Sequence, residues 1–121
     1  MSFKTSEPIK LQPSDTKYGV SFYFPIETAI GANDGALPFG TSISSATVTA
    51  LYNNTSIADM ITGSVLISGT SNNTVQLSLN YPTTTMTNIT KSVTMALKFV
   101  LTLTDTSTRE FDFRNIIVGN I

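Results

Sequence analysis

An all-β fold, built as an antiparallel sandwich of about seven strands, is what this sequence predicts, and three observations predict it. Apolar residues alternate with small hydroxyl residues in segment after segment, the period of two that a half-buried strand requires. Clusters of Gly, Asn, Asp and Pro punctuate these segments at the spacing of short strands. No segment carries a helical period longer than a single turn.

Residues 1–13 contain Pro8 and Pro13 and read as an N-terminal arm, with one edge strand at 9–12, because proline cannot donate to a sheet centre. The sandwich domain then runs over residues 14–121. Its first strand lies in 18–27, where Val20, Phe22, Phe24 and Ile26 share one face and Ser21 and Tyr23 the other. Residues 31–40 (GANDGALPFG) form a long loop with an Asn-Asp-Gly turn signal and two large apolar residues, Leu37 and Phe39.

In 42–52, Ala46, Val48, Ala50 and Tyr52 fall on one side and Ser45, Thr47 and Thr49 on the other. The small apolar side leaves room for Phe22, Phe24 and Phe99 to pack in a sandwich core. The Thr47 and Thr49 side is either a solvated exterior or part of a hydroxyl-rich docking surface. Asn53 and Asn54 make a turn, after which Ser56 either caps a single helical turn with Asp59 or belongs to a short irregular strand. Strands at 64–68 and 74–81 are joined by a polar loop of hairpin length. The polar crossing 82–90 separates strands that can lie in different sheets.

The last pair carries the clearest alternation. Met95, Leu97, Phe99, Leu101 and Leu103 alternate with Thr94, Ala96, Lys98, Val100 and Thr102, and a polar turn leads into a strand at 109–118. Phe111 and Phe113 share one phase while Ile116 and Val118 take the other, so a bulge is expected near Asn115.

The composition narrows the chemistry. The 121 residues fit a single domain, and Lys plus Arg (7) nearly balance Asp plus Glu (8), with charged residues at only 12%. The basic residues are scattered, so a nucleic-acid partner lacks its electrostatic warrant. No run approaches the apolar length of a membrane-spanning helix, and residues 1–8 lack the pattern of a secretory signal; a cytoplasmic origin without a membrane partner is therefore expected. Ser, Thr and Asn make up roughly a third of the chain, a surface kept wet by hydroxyls rather than charge. This is either plain β-rich composition or a surface suited to lying against other protein, because a hydroxyl is cheaper to desolvate than a charge.

The chain has no Cys and no His, which removes thiolate nucleophiles, imidazole bases and the usual zinc ligands. Glu110 and Asp112, flanked by Arg109 and Arg114, read as an alternating water-facing strand rather than a carboxylate pair for catalysis. Asn33-Asp34-Gly35 reads as a turn, since further acidic ligands for a hard cation are missing. No glycine-rich phosphate loop is present, and no cofactor is expected. The glycosylation-type patterns at Asn53, Asn54, Asn72 and Asn88 follow from an Asn- and Thr-rich chain. Tyr18, Tyr23, Tyr52 and Tyr81 are either a sugar-stacking platform or, for the three in strands, core and edge packing.

Segments 43–50 (ISSATVTA), 63–69 (GSVLISG) with 74–77 (TVQL), 101–105 (LTLTD) and 109–111 (REF) together make the chain resemble small immunoglobulin-like proteins of tailed bacteriophage virions, of the fibre, decoration or minor structural type. The resemblance covers roughly residues 9–118. Where related chains often have a glycine-rich turn and a tyrosine ahead of the penultimate strand, this one has NITKSVT at 88–94.

The resemblance implies an immunoglobulin-like sandwich, and a non-enzymatic virion component, made in a host bacterial cytoplasm, that docks on capsid, neck or tail proteins in several copies. It implies no catalytic residues. Docking is then expected through edge strands, through Ile9 and Leu11 of the arm, and through Leu37 and Phe39 of the loop, unless that loop folds over its own core. The rival expectation is a carbohydrate-binding or host-adhesion module of a phage fibre.

Overall fold

The computed structural model describes residues 8–87 and 89–119. The first seven residues of the expected arm and the pattern at Asn88 lie outside the described residues. Two sheets pack face to face. One has three strands in the order β2-β6-β5 (Tyr18–Tyr23, Thr74–Leu79, Ile61–Ser68). The other has five in the order β1-β8-β7-β3-β4 (Ile9–Leu11, Thr108–Val118, Val93–Leu103, Ile43–Tyr52, Thr55–Ser56). All strand pairs are antiparallel except β1 with β8, which run parallel with Ile9 beside Ile116 and Leu11 beside Val118.

This order is that of an immunoglobulin sandwich: β2, β6 and β5 stand where strands B, E and D stand, and β8, β7, β3 and β4 follow the G-F-C-C′ order. Among the described residues the eight strands exceed the expected seven by the two-residue β4. Asn53 and Asn54, at φ 50° and 64°, supply the left-handed pair that a two-residue hairpin between β3 and β4 needs. Asn tolerates that conformation better than other side chains, which explains its presence at this turn.

Alternation sets the core. Met95, Leu97, Phe99, Leu101 and Leu103 of β7 are all buried, as are Phe111, Phe113, Ile116 and Val118 of β8. The expected bulge is present: Met95 pairs with Ile116 but Leu97 with Phe113, so Arg114 and Asn115 together face Ala96. The extra residue turns both apolar pairs of β8 inward. A second irregularity, between Ile43 and Ser45 on β3, brings Ile43 to the same side as Ala46, Val48 and Ala50.

Between the sheets the rings form one cluster. Phe22 of β2 meets Phe99 of β7 edge-on at 4.8 Å and Phe113 at 5.1 Å, while Phe24 lies 5.0 Å from Phe111. β2 and β7 are the strands that a disulfide joins in antibody domains, and here aromatic contact ties them instead. Each such pair contributes about 0.5–1.5 kcal/mol beyond its area burial.

At Ser56 the structure takes the second of the two expected alternatives, and the crossing adds one element. Ser56 makes no helix cap: it belongs to β4, and a 3₁₀ turn at Ala58–Met60 starts after Ile57 without a side-chain cap. The crossing between sheets holds one helical turn, α1 (Thr83–Met86), where the Thr84 amide donates to Asp59 Oδ2 at 3.2 Å.

Candidate docking surfaces

The chain leaves β2 through Phe24 and reaches β3 only at Ile43, and the segment between is pinched at its base. The amides of Ala36 and Leu37 both donate to the Pro25 carbonyl, at 2.8 and 3.0 Å, and the Glu27 amide donates to the Leu37 carbonyl at 2.9 Å. Gly35 makes the pinch possible. A Cβ at that position would lie 2.5 Å from the Glu27 nitrogen and 2.6 Å from the Ile26 carbonyl carbon. The glycine thus serves close backbone approach, while the left-handed residue of the Asn-Asp-Gly signal is Asn33, at φ 58°.

Beyond the pinch the loop is braced by its own polar groups. Asp34 accepts from the Thr28 hydroxyl at 2.6 Å and from the Thr28 amide at 3.1 Å, and Glu27 accepts from the Asn33 amide at 2.9 Å. The Thr28 hydroxyl, followed by the Thr28 amide, holds the Asp34 carboxyl below its ordinary value. This frame carries Ile30 at 88% exposure. An apolar β-branched side chain held out in water on a braced loop has the chemistry of an anchor for a partner's apolar pocket.

The four residues expected to bind a partner part company here. Phe39 is half exposed and remains available, and Ile9 is partly buried against the core. Leu37 and Leu11 have no exposed surface at all, so the expectation that they dock is corrected. Leu37 is drawn inward by the pinch and its bridge to Ile26, and Leu11 faces the core from an edge strand whose carbonyl accepts the Gly119 amide at 3.1 Å. Ile30 escaped the sequence reading because it lies one residue before the loop read at 31–40. The signal that marks it is the absence of any large apolar side chain around it, with Ala29 and Gly31 beside it and Thr28 and Ala32 in strand phase.

A second surface covers the outside of the three-stranded sheet. Tyr23 (63% exposed) and Leu66 (57%) stand out among Ser21, Ser64, Gln76 and Ser78. A shallow depression of about 250 Å³ lies over Gly19 and reaches Leu66. No residue of β2, β5 or β6 is charged. The four tyrosines do not make one platform: Tyr18 and Tyr23 take opposite phases of β2, and Tyr52 and Tyr81 pack against the core.

The third surface is polar. Asn53, Asn54, Thr94, Asp112 and Arg114 line a depression of about 410 Å³ beside the β8 bulge. Asp112 accepts from Arg114 at 3.0 Å, and Glu110 lies 3.5 Å from Lys98, so each of these carboxylates has a cationic neighbour on an open strand face. Among the described residues no group of three or more acidic side chains is placed to hold a metal ion. Thr47 is exposed and Thr49 half-buried on this outer face, beside Val100 and Lys98 of β7.

No family model matches this sequence, and no curated protein matches it. Fold and surface together define an immunoglobulin-like sandwich that presents an apolar loop tip, a charge-free sheet face and a polar depression.

Proposed function

We propose that this chain is a non-enzymatic structural component of a bacteriophage virion that docks on other virion proteins, as a capsid decoration or cement protein, as a fibre-like accessory, or at the neck or tail. The observation that carries the reading is the braced loop, whose pinch and Asp34 clasp hold Ile30 out in water where a partner can bury it. The likeness of its strand segments to virion proteins, and a surface of uncharged hydroxyls that is cheap to desolvate, support the same reading.

Replacing Ile30 and Phe39 together by Ser should abolish incorporation into particles while leaving the domain folded, since both side chains are exposed. Unchanged incorporation refutes the docking role. Mass spectrometry of purified particles then separates the positions: copies on the order of hundreds mean capsid decoration, and about six to twelve mean neck or tail.

A carbohydrate-binding or host-adhesion module of a phage fibre is the second reading. The polar depression favours it, because the carboxamides of Asn53 and Asn54 and the Asp112–Arg114 pair present both donors and acceptors to a polyhydroxyl ligand. Glycan-array binding by the isolated chain, lost in Asp112→Ala, supports this reading; a clean negative removes it.

A further inference from the structure

Asp34 is the only aspartate of the chain that is followed by glycine; Asp15, Asp59, Asp105 and Asp112 precede Thr, Met, Thr and Phe. No asparagine precedes a glycine either. The carboxyl of an aspartate can be attacked by the amide nitrogen of the next residue, closing a succinimide ring. Glycine permits that approach best, because it has no Cβ to crowd the nitrogen or to restrict the backbone.

The two residues stand side by side for separate structural reasons. Asp34 supplies the clasp on Thr28, and Gly35 supplies the pinch, where a Cβ would lie 2.5 Å from the Glu27 nitrogen. The loop therefore cannot exchange this glycine for a residue that hinders ring closure without opening its own base. Asp34 and Thr28 are both exposed, so water reaches the site.

We propose that Asp34 is a site of spontaneous isomerisation to isoaspartate, and that the Thr28 clasp restrains this reaction in the folded chain. In the first step the Gly35 nitrogen bonds to the Asp34 Cγ. The nitrogen gives up its proton and the carboxylic acid its hydroxyl, and the two leave together as one water. In the second step water adds to the former main-chain carbonyl of Asp34 and breaks its bond to the Gly35 nitrogen. The chain then continues through Cβ and Cγ, and the old main-chain carbon ends as a free carboxylate. One water is lost and one gained, so the mass is unchanged and no oxidant or reductant takes part.

The clasp opposes the first step in two ways. One carboxyl oxygen has to depart, and Thr28 holds both, its hydroxyl donating to Oδ2 at 2.6 Å and its amide to Oδ1 at 3.1 Å. Ring closure also needs the carboxyl in its acid form, whereas these same bonds favour the carboxylate. The product lengthens the main chain by one methylene at the tightest point of the loop. Gly35 has no slack there, so the bonds from the Ala36 and Leu37 amides to the Pro25 carbonyl give way and Leu37 loses its burial. This inference is independent of the virion reading, since it concerns the purified chain alone.

An endoproteinase that cleaves before aspartate passes over isoaspartate, so peptide mapping by mass spectrometry reads the product as cleavage lost before residue 34 at unchanged mass. After prolonged incubation of the full chain near neutral pH, the loss should be greatest at Asp34; a loss no greater than at the other aspartates overturns the proposal. Thr28→Val removes the hydroxyl and keeps the shape of the side chain, and it should speed the loss by about two- to tenfold, the Boltzmann factor of one hydrogen bond. Thr28→Ser keeps the hydroxyl and should stay within about twofold of the unaltered chain. Equal rates in Thr28→Val and the unaltered chain overturn the role of the clasp. If Thr28→Val fails to fold, the unaltered chain decides: isomerisation in guanidinium, where the clasp is undone, should run at least about tenfold faster than in the folded chain, and equal rates overturn the restraint. Hydrogen exchange on the isomerised fraction should show lost protection of the Leu37 amide, and unchanged protection overturns the release of the pinch.

Discussion

Every charged strand residue, namely Lys10, Lys98, Arg109, Glu110, Asp112 and Arg114, lies in the five-stranded sheet, while the three-stranded sheet has none. The two sheets share one aromatic core and meet water in opposite ways. On the larger sheet, cations and carboxylates of β7 and β8 pair across the open face. On the smaller, hydroxyls and a carboxamide surround Tyr23 and Leu66. Solvation by charge is costly to strip away and solvation by hydroxyls is cheaper, so the division marks the smaller sheet as the face that can be covered.

The largest expected effect tests whether the two sheets are coupled. Phe99→Ala removes the ring that meets both Phe22 and Phe24 across the sandwich, and guanidinium unfolding should show a loss of about 3–5 kcal/mol in one cooperative step. Two resolved transitions would mean that each sheet unfolds by itself. Gly35→Ala acts on the segment that joins the sheets: its Cβ meets backbone rather than flexible side chains, so thermal unfolding should show a loss of about 1–3 kcal/mol. No loss would mean that the pinch is loose.

On the charged face, Glu110→Lys replaces the partner of Lys98 by a like charge. Both side chains are largely exposed, so the cost should be no more than about 0.5 kcal/mol and should shrink with added salt. The smallest effect is local. Asp34 is held below its ordinary value of 3.8 by Thr28, so its contribution to loop order is complete above that value and is lost as pH falls through the lowered one. Thr28→Val should move the Asp34 titration, followed by NMR, back up toward 3.8. An unchanged midpoint would show that the hydroxyl is not what holds it.

Elements with long alternation were legible in the sequence: β7 and β8, the bulge near Asn115 that their phase change demands, and the crossing from β6 to β7 between sheets. Burial of alternate side chains determines those features, and a period of two records it. What escaped depends on the path of the backbone in space. Leu37 and Ile30 are both aliphatic residues of one loop, yet hydrogen bonds to Pro25 and Glu27 draw the first into the core, and the Asp34 clasp holds the second out. Gly35 was legible as a turn residue but not as the point of closest backbone approach, since the segment it meets, 25–27, precedes it by eight or more residues. The neutrality of the smaller sheet was visible only once β2, β5 and β6, scattered along the chain, were known to be neighbours.

The parallel pairing of β1 with β8 has a mechanical consequence. Tension applied through the two ends of the chain pulls these neighbours past one another along their length, so the rungs at Ile9, Lys10 and Leu11 are loaded together in shear instead of being peeled one at a time. A sandwich whose first and last described strands pair in this manner can transmit a pull while its core stays shut.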